Sequence, residues 1–141
     1  MHNVWLKNMI RRLFATIFSL FGFAAPTKAA DTVPRLAELL NQLANTDDID
    51  RSVAAISLLE AEAVPDWLPR LHEILATPGD PYMREGVAPA IIRLEGIRAL
   101  PRLLAALRLG FAEGHDCDSL QAYVCDLVES EPDESSQMLL P

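Results

Sequence analysis

The chain has 141 residues, of which 50% are hydrophobic and only 6% aromatic, and its formal net charge is −8. This length fits one domain, and the shortage of aromatic residues favours packed helices over a β-sandwich. The charge is uneven, because residues 1–30 carry 4 basic and no acidic side chains whereas residues 31–141 carry 8 basic and 20 acidic ones. An acidic body repels a phosphate backbone, so we expect no nucleic-acid partner and favour a basic protein partner.

Residues 1–30 have the pattern of a targeting segment. Two adjacent arginines precede an uncharged apolar run at 13–25, and small residues follow it. A basic start, about 7–15 apolar residues and a small-residue exit are typical of a secretory signal peptide. We therefore expect an exported, periplasmic protein, or a membrane-anchored one that contacts the membrane only through residues 1–25. In the alternative interpretation the protein is cytoplasmic, and a helix over 4–22 packs as part of its fold.

A Pro-Arg-Leu string occurs three times, starting at Pro34, Pro69 and Pro101. Pro132 follows without the Arg-Leu, so that successive prolines are 35, 32 and 31 residues apart. Similarity at a period of about 20–50 residues indicates an array of stacked helical or strand units. Proline is favoured in the first turn of a helix, because the N–H that it lacks would have no intrahelical partner there. The strings therefore predict a series of helices, named B, at 33–45, 67–77, 99–110 and 132–140.

A second series of helices, named A, is predicted between them at 50–61, 81–95 and 118–129, from apolar residues at helical spacing. Asp80, directly before Pro81, matches a capping residue followed by a first-turn proline. Further capping aspartates are expected at the other helix starts, and they are Asp31, Asp48 or Asp50, Asp66, and Asp116 or Asp118.

The two series predict an all-α protein, since no segment shows the sustained two-residue alternation of a strand. A unit of helix A, a turn and helix B buries too little apolar surface alone, so neighbouring units must stack. We expect residues 31–141 to form a short right-handed α-solenoid of about three antiparallel helix pairs.

Residues 31–131 resemble HEAT-type helical repeats, in the short form of phycobiliprotein-lyase-like proteins. The resemblance is carried by Arg-Ser-Val-Ala-Ala-Ile-Ser-Leu-Leu-Glu at 51–60 and by its counterpart, Arg-Glu-Gly-Val-Ala-Pro-Ala-Ile-Ile-Arg-Leu-Glu at 84–95. It implies about three HEAT-like repeats and an adaptor or scaffold role. Some bacterial proteins of this build resemble immunity proteins that neutralise a co-encoded toxin.

The densest polar segment, residues 110–118, lies between two predicted helices. Repeat arrays often carry binding residues on such loops, so Glu113, His115, Asp116 and Asp118 are binding candidates. In the alternative interpretation the segment is only structural: Gly110 caps a helix, Gly114 makes a turn and the two aspartates cap the next helix.

Neither a metal site nor a reactive thiol is predicted in this segment. His115, Cys117 and Cys125 are ligand types for zinc, but paired ligands at both ends are missing. A Cys–His nucleophile would need a third, orienting group and an oxyanion site, which nothing in the sequence supplies. We expect no cofactor, a partly exposed Cys117 and a packed Cys125. Both remain thiols, because eight residues of helix separate them by about 12 Å.

Three further binding candidates lie on earlier units. If Trp67 is buried, it anchors the core. If it is exposed, it is a candidate contact with a protein partner. Tyr82 and Arg84 flank a turn between units. The arginines of the Pro-Arg-Leu strings are Arg35, Arg70 and Arg102. We expect them to pair with nearby acids such as Glu38, Glu73 or Asp66 rather than to bind a ligand.

These features together predict a non-catalytic protein-binding module of bacterial immunity or adaptor type. It would occlude a basic partner through the concave face of the B helices and the loop around His115. Two alternatives stay open: a lyase-like or thiol-dependent enzyme or enzyme subunit, and an envelope structural protein held by residues 1–25.

Overall fold

The computed structural model describes residues 32–139, which form seven α-helices. These helices are α1 (Thr32–Ala44), α2 (Ile49–Glu62), α3 (Leu68–Ala76), α4 (Pro81–Glu95), α5 (Leu100–Ala112), α6 (Asp118–Ser130) and α7 (Pro132–Leu139). No strand occurs between residues 32 and 139, which confirms the all-α prediction. The predicted targeting segment and Asp31 lie outside the described residues. Of the helices in the described part, none is both long and apolar enough to cross a membrane.

Every helix of the predicted A and B series is present, and its ends fall within two residues of the predicted ones. Pro69 and Pro101 lie in the first turns of α3 and α5, as the Pro-Arg-Leu strings predict. Two capping predictions are also confirmed. The carboxylate of Asp48 accepts a hydrogen bond from the N–H of Arg51, and that of Asp80 accepts one from the N–H of Met83, at 3.0 Å. These bonds satisfy N–H groups that the first turn of a helix leaves without intrahelical partners.

The prediction that Asp66 caps helix α3 is wrong. Asp66 lies inside a short 3-10 turn, Pro65–Trp67, that leads directly into α3. A similar turn, Gly96–Ala99, leads into α5. In both places the chain is already helical before the α-helix begins, so no extended residue precedes it to carry a capping side chain.

The helices that pack together follow a regular order along the chain. Helix α1 packs against α2, α3 against α4, and α5 against α6. Helix α4 also packs against α2 and α6, and α3 packs against α5. The principal contact across a short turn is therefore between a B helix and the A helix that follows it, whereas the predicted unit ran from A to B.

Helix α4 lies at the centre of this packing and is buried on several faces, over residues 86–91 in particular. A helix that is apolar around most of its circumference must be covered by several neighbours. Gly86 allows one of them to approach closely, because a Cβ atom at this position would lie 2.7 Å from Leu43 Cδ2. The core is completed by fully buried leucines, which include Leu39, Leu59, Leu71, Leu75, Leu103 and Leu120.

Candidate functional site

Arg84 and Glu113, both predicted as binding residues, lie in contact with each other. The Arg84 side chain is only 1% exposed, and its guanidinium donates to the carboxylate of Glu113 and, at 2.9 Å, to the carbonyl of Thr77. The other carboxylate oxygen of Glu113 accepts a hydrogen bond of 2.8 Å from the N–H of Gly79. The pair therefore ties the start of α4 and the turn before it to the end of α5. Because Arg84 is buried, it is a structural residue and not the surface contact that the sequence suggested.

The hydrogen bond from Arg84 is the main reason that the pKa of Glu113 lies below the ordinary glutamate value, and the bond from Gly79 adds to it. A carboxylate held by two donors is stabilised in its charged form. Glu113 is thus ionised at neutral pH and holds the residues that follow it in a defined place.

Those residues form the His115 loop, which comprises residues 113–117. Its polar side chains His115 and Asp116 are exposed, as is that of Asp118 in the first turn of α6. The predicted caps are wrong, because Cys117 occupies the N-cap position and makes no side-chain capping bond. Asp116 and Asp118 are therefore not used in capping, and they present their carboxylates to solvent as a binding loop would.

Cys117 and Gly110 explain why the loop follows this path. Gly110 was expected to cap a helix, but it lies within α5, which continues to Ala112. A Cβ atom at residue 110 would lie 2.1 Å from the Sγ atom of Cys117, so the thiol packs where only glycine leaves room. Cys117 adopts a left-handed backbone with a φ of 54°, which is uncommon for a residue other than glycine.

The predicted exposure of the two cysteines is reversed. Cys117 is 4% exposed, whereas Cys125 on α6 is exposed, and both are free thiols. Burial raises the pKa of Cys117, so its sulfur is held as the neutral thiol. A neutral, buried thiol is a poor nucleophile and a poor metal ligand. Within residues 32–139 no three His, Cys, Asp or Glu side chains are grouped closely enough to hold a metal ion.

Trp67 and Tyr82 lie apart from the His115 loop. Trp67 is 3% exposed, and its indole N–H donates to the carbonyl of Thr32 at 3.0 Å. Of the two roles that the sequence allowed, Trp67 therefore has that of a core anchor. It is too deeply buried to contact a partner. Tyr82 is 39% exposed, and its hydroxyl lies 3.0 Å from the hydroxyl of Ser52. Of these two candidates, only Tyr82 offers surface to a partner.

The arginines of the Pro-Arg-Leu strings are used in ion pairs, as predicted. Arg35 pairs with Glu38 at 2.8 Å, and Arg70 pairs with Glu73 at 2.6 Å. Each of these pairs joins residues three apart on one helix, so it could be foreseen from local spacing. Arg35 also binds Glu62 of α2, whereas Arg102 lies 3.9 Å from Glu95 and not beside Asp66.

A groove that the sequence did not reveal runs between the B helices α3 and α5. It has a volume of about 450 Å³. Its walls are mostly apolar, with Pro69 and Leu75 on α3 and Ala105 and Leu109 on α5. We call it the α3–α5 groove. The adjacent small residues Ala105 and Ala106 indicate that another helix can approach α5 closely. Only the packing of α3 on α5 shows that they line a groove.

Polar side chains mark one part of this groove. His72 Nε2 lies 3.0 Å from a carboxylate oxygen of Glu95, and Arg102 approaches the other oxygen. His72 and Arg102 both line the groove. The arrangement can hold an apolar segment of a partner and offer it a few polar contacts. It contains no activated nucleophile.

Comparison with known proteins found no family model that matches the chain, and no curated protein or solved structure matched it.

Proposed function

We propose that residues 31–141 form a short right-handed α-solenoid of HEAT-like repeats, which acts as a non-catalytic protein-binding module. The order of helix contacts supports this architecture. The A helices α2, α4 and α6 pack in succession, while the B helix α3 packs on α5. Helices in contact across a short connection are usually antiparallel. The repeating unit would then be a hairpin of helix B followed by helix A.

The α3–α5 groove is the observation that carries the binding function. It lies between two helices of the B series, which is the face that a solenoid of this type would use. Ala105 is exposed within the groove, and most of the groove wall is apolar. Apolar grooves between helices are common docking places for an amphipathic helix of another protein.

The use of the arginines supports a basic partner. Six of the eight arginines within residues 32–139 are engaged by this chain. Four of them form ion pairs with its carboxylates, and they are Arg35, Arg70, Arg84 and Arg102. The other two, Arg93 and Arg98, donate hydrogen bonds to backbone carbonyls. The charges of the four paired arginines are therefore partly neutralised, whereas the exposed Asp116 and Asp118 form no ion pair within residues 32–139. A negative surface speeds the association of a positive protein. The proposed partner is a basic protein, and the module is an adaptor or an immunity-type protein that covers it.

The experiment is affinity capture with the full chain at low ionic strength, followed by identification of the captured protein and titration of the purified pair. A basic protein encoded beside this one is the first to test. We expect Ala105→Trp, which fills the α3–α5 groove, to abolish binding. Ala37→Trp on the exposed side of α1 is the matched control and should bind as the native chain does.

The loop is tested separately, with His115→Ala, Asp116→Asn and Asp118→Asn combined. We expect weaker binding at low salt and a smaller salt dependence, because screening acts on exposed charges over about 10 Å at 0.1 M salt. Undiminished binding by Ala105→Trp would refute the role of the groove. Salt-independent binding by the native chain would refute the electrostatic part.

A further inference from the structure

We propose that a second groove, across helices α2, α4 and α6, binds a lysine or arginine side chain of a protein partner. This acidic groove is distinct from the α3–α5 groove, and it lies on the A helices. The inference rests on the proposed function as a protein-binding module, because it names a contact that a basic partner would make.

The acidic groove has a volume of about 500 Å³. Ile92 of α4 and Ile56 of α2, both half-buried, supply apolar surface, and Pro89, which is itself buried, also lines the groove. Helix α4 packs between α2 and α6, so its side chains lie between those that the two outer helices contribute.

Carboxylates stand on both outer helices. Glu60 of α2 and Asp126 of α6 line the groove and are exposed. Within residues 32–139, neither carboxylate has an ion-pair partner. Arg93 is close in the chain to the groove residue Ile92, but its guanidinium is bound to the carbonyls of Glu60 and Ala63 and is not among the lining groups. The groove therefore combines apolar surface with two carboxylates that form no ion pair within residues 32–139.

Tyr123 of α6 adds a third kind of contact to the same groove. Burial raises the pKa of Tyr123, and the carboxylates of Glu85 and Glu60 raise it further. Tyr123 therefore remains a neutral phenol at neutral pH. Glu85 lies one turn before Pro89 on the same face of α4, so it adds negative charge on that side. A phenol ring near carboxylates is favourable for a bound cation, because the ring face attracts positive charge.

These features select a basic side chain over other occupants. Lysine and arginine have apolar stems that pack along hydrophobic surface while their charged ends reach polar groups. In this groove the stem would lie against Pro89 and Ile92, and the charged end would reach Glu60, Asp126 and the ring of Tyr123. An acidic segment would be repelled, and a purely apolar one would leave the two carboxylates partly desolvated without a partner.

The test uses a fluorescein-labelled peptide, Ala-Leu-Arg-Leu-Lys-Ala with blocked ends, and the full chain at low ionic strength. Fluorescence anisotropy gives Kd, and shifts of backbone amide signals in nuclear magnetic resonance spectra map the site. We expect shifts at residues around Ser57, Glu60, Tyr123 and Asp126. The combined variant Glu60→Gln/Asp126→Asn should raise Kd by about 10-fold or more, a change equivalent to about 1.4 kcal/mol.

Asp47→Asn/Asp66→Asn is the matched control, since it removes two exposed carboxylates elsewhere and should change Kd by less than about 2-fold. Ser57→Arg, which places a cation within the groove, should weaken binding as well. Circular dichroism would establish that each variant is folded. A control peptide in which glutamine replaces both the arginine and the lysine should not bind.

Any of the following results would overturn the inference: no binding of the basic peptide, an unchanged Kd in the groove variant, equal loss of affinity in the groove and control variants, or amide shifts confined to the α3–α5 groove or the His115 loop. The proposed function fails separately. If Glu60→Gln/Asp126→Asn leaves Kd unchanged while Ala105→Trp still abolishes capture of the partner, the acidic groove is refuted and the binding module stands.

Discussion

Arg84 and Glu113 are 29 residues apart in the chain, and their ion pair joins the buried Arg84, in the first turn of α4, to the residue that follows α5. The same two side chains bind the carbonyl of Thr77 and the N–H of Gly79. This one ion pair thus links three parts of the fold: the turn before α4, helix α4 itself and the His115 loop. The loop that we propose as a binding element is held in place from its first residue.

Replacing Arg84 by Met should destabilise the protein far more than replacing Arg70 by Met. Arg84 is buried, so its loss leaves the carbonyl of Thr77 without this donor and the carboxylate of Glu113 with only the bond from Gly79, whereas the pair of Arg70 with Glu73 is exposed. We expect the free energy of unfolding to fall by roughly 2–4 kcal/mol for Arg84→Met and by less than about 1 kcal/mol for Arg70→Met. Urea unfolding measures both, and equal effects would contradict a structural role for Arg84.

The stability of the protein should decrease as the pH falls below about 5. The pKa values of Glu113 and Glu62 are lowered in the folded state, chiefly by hydrogen bonds from Arg84 and Arg35. A carboxyl whose folded pKa is lowered binds its proton more readily in the unfolded chain. Its stabilising contribution is therefore complete above the unfolded pKa, near the ordinary value of 4.5, and is lost as the pH falls through the folded pKa.

Glu113→Gln should make the dependence of the free energy of unfolding on pH less steep between about pH 5 and pH 3, the range that includes the ordinary pKa of a carboxyl group. Glu131 supplies the contrast, because burial and the neighbouring Glu134 raise its pKa. Glu131→Gln should make the dependence slightly steeper. Urea titrations across this range measure both slopes, and an unchanged slope in Glu113→Gln would argue against the lowered pKa.

Gly110→Ala should destabilise the protein although alanine is the better helix former. Helix propensity alone would favour alanine by about 0.5–1 kcal/mol. The added Cβ would, however, lie 2.1 Å from the sulfur of Cys117, whose own backbone is already in the left-handed region. We expect a loss of about 1–3 kcal/mol from this overpacking.

Adding Cys117→Ala to Gly110→Ala should recover part of that loss, because it removes the sulfur that the new methyl group meets. A double-mutant cycle, measured by urea unfolding, should give a coupling of about 0.5–3 kcal/mol between the two positions. Simple additivity of the two changes would show that the contact is not the cause.

The two thiols should differ in their reactivity towards a disulfide reagent. Cys125 is exposed, whereas Cys117 is buried and its pKa is raised, so little thiolate forms at Cys117. In the native protein we expect one rapidly reacting thiol and a second that reacts only after unfolding. Cys125→Ser should remove the rapid phase. Rapid reaction in that variant would show that Cys117 is accessible and would favour the thiol-dependent alternative.

The amino-acid sequence by itself determined the helices of residues 32–139, because the signals for helix starts are local. Proline in a first turn, an aspartate before it and apolar residues at helical spacing act within a few residues of one another. Asp80 with Pro81 is the clearest example, and the ion pairs Arg35–Glu38 and Arg70–Glu73 follow from the same local spacing. The failure at Asp66 is local too, since a 3-10 turn was the competing conformation.

Only the tertiary structure decided which surfaces meet. Arg84 and Glu113 lie on different helices, as do Ala105 and Pro69, and nothing in their local sequence indicates their contact or their shared groove. The same holds for Cys117, which is buried because α5 carries a glycine where the thiol packs. Side-chain burial depends on residues far away in the chain, and the energies that arrange them come from packing rather than local propensity. The sequence therefore specified the helices, and the packing of α3 on α5 and of α4 between α2 and α6 made the grooves.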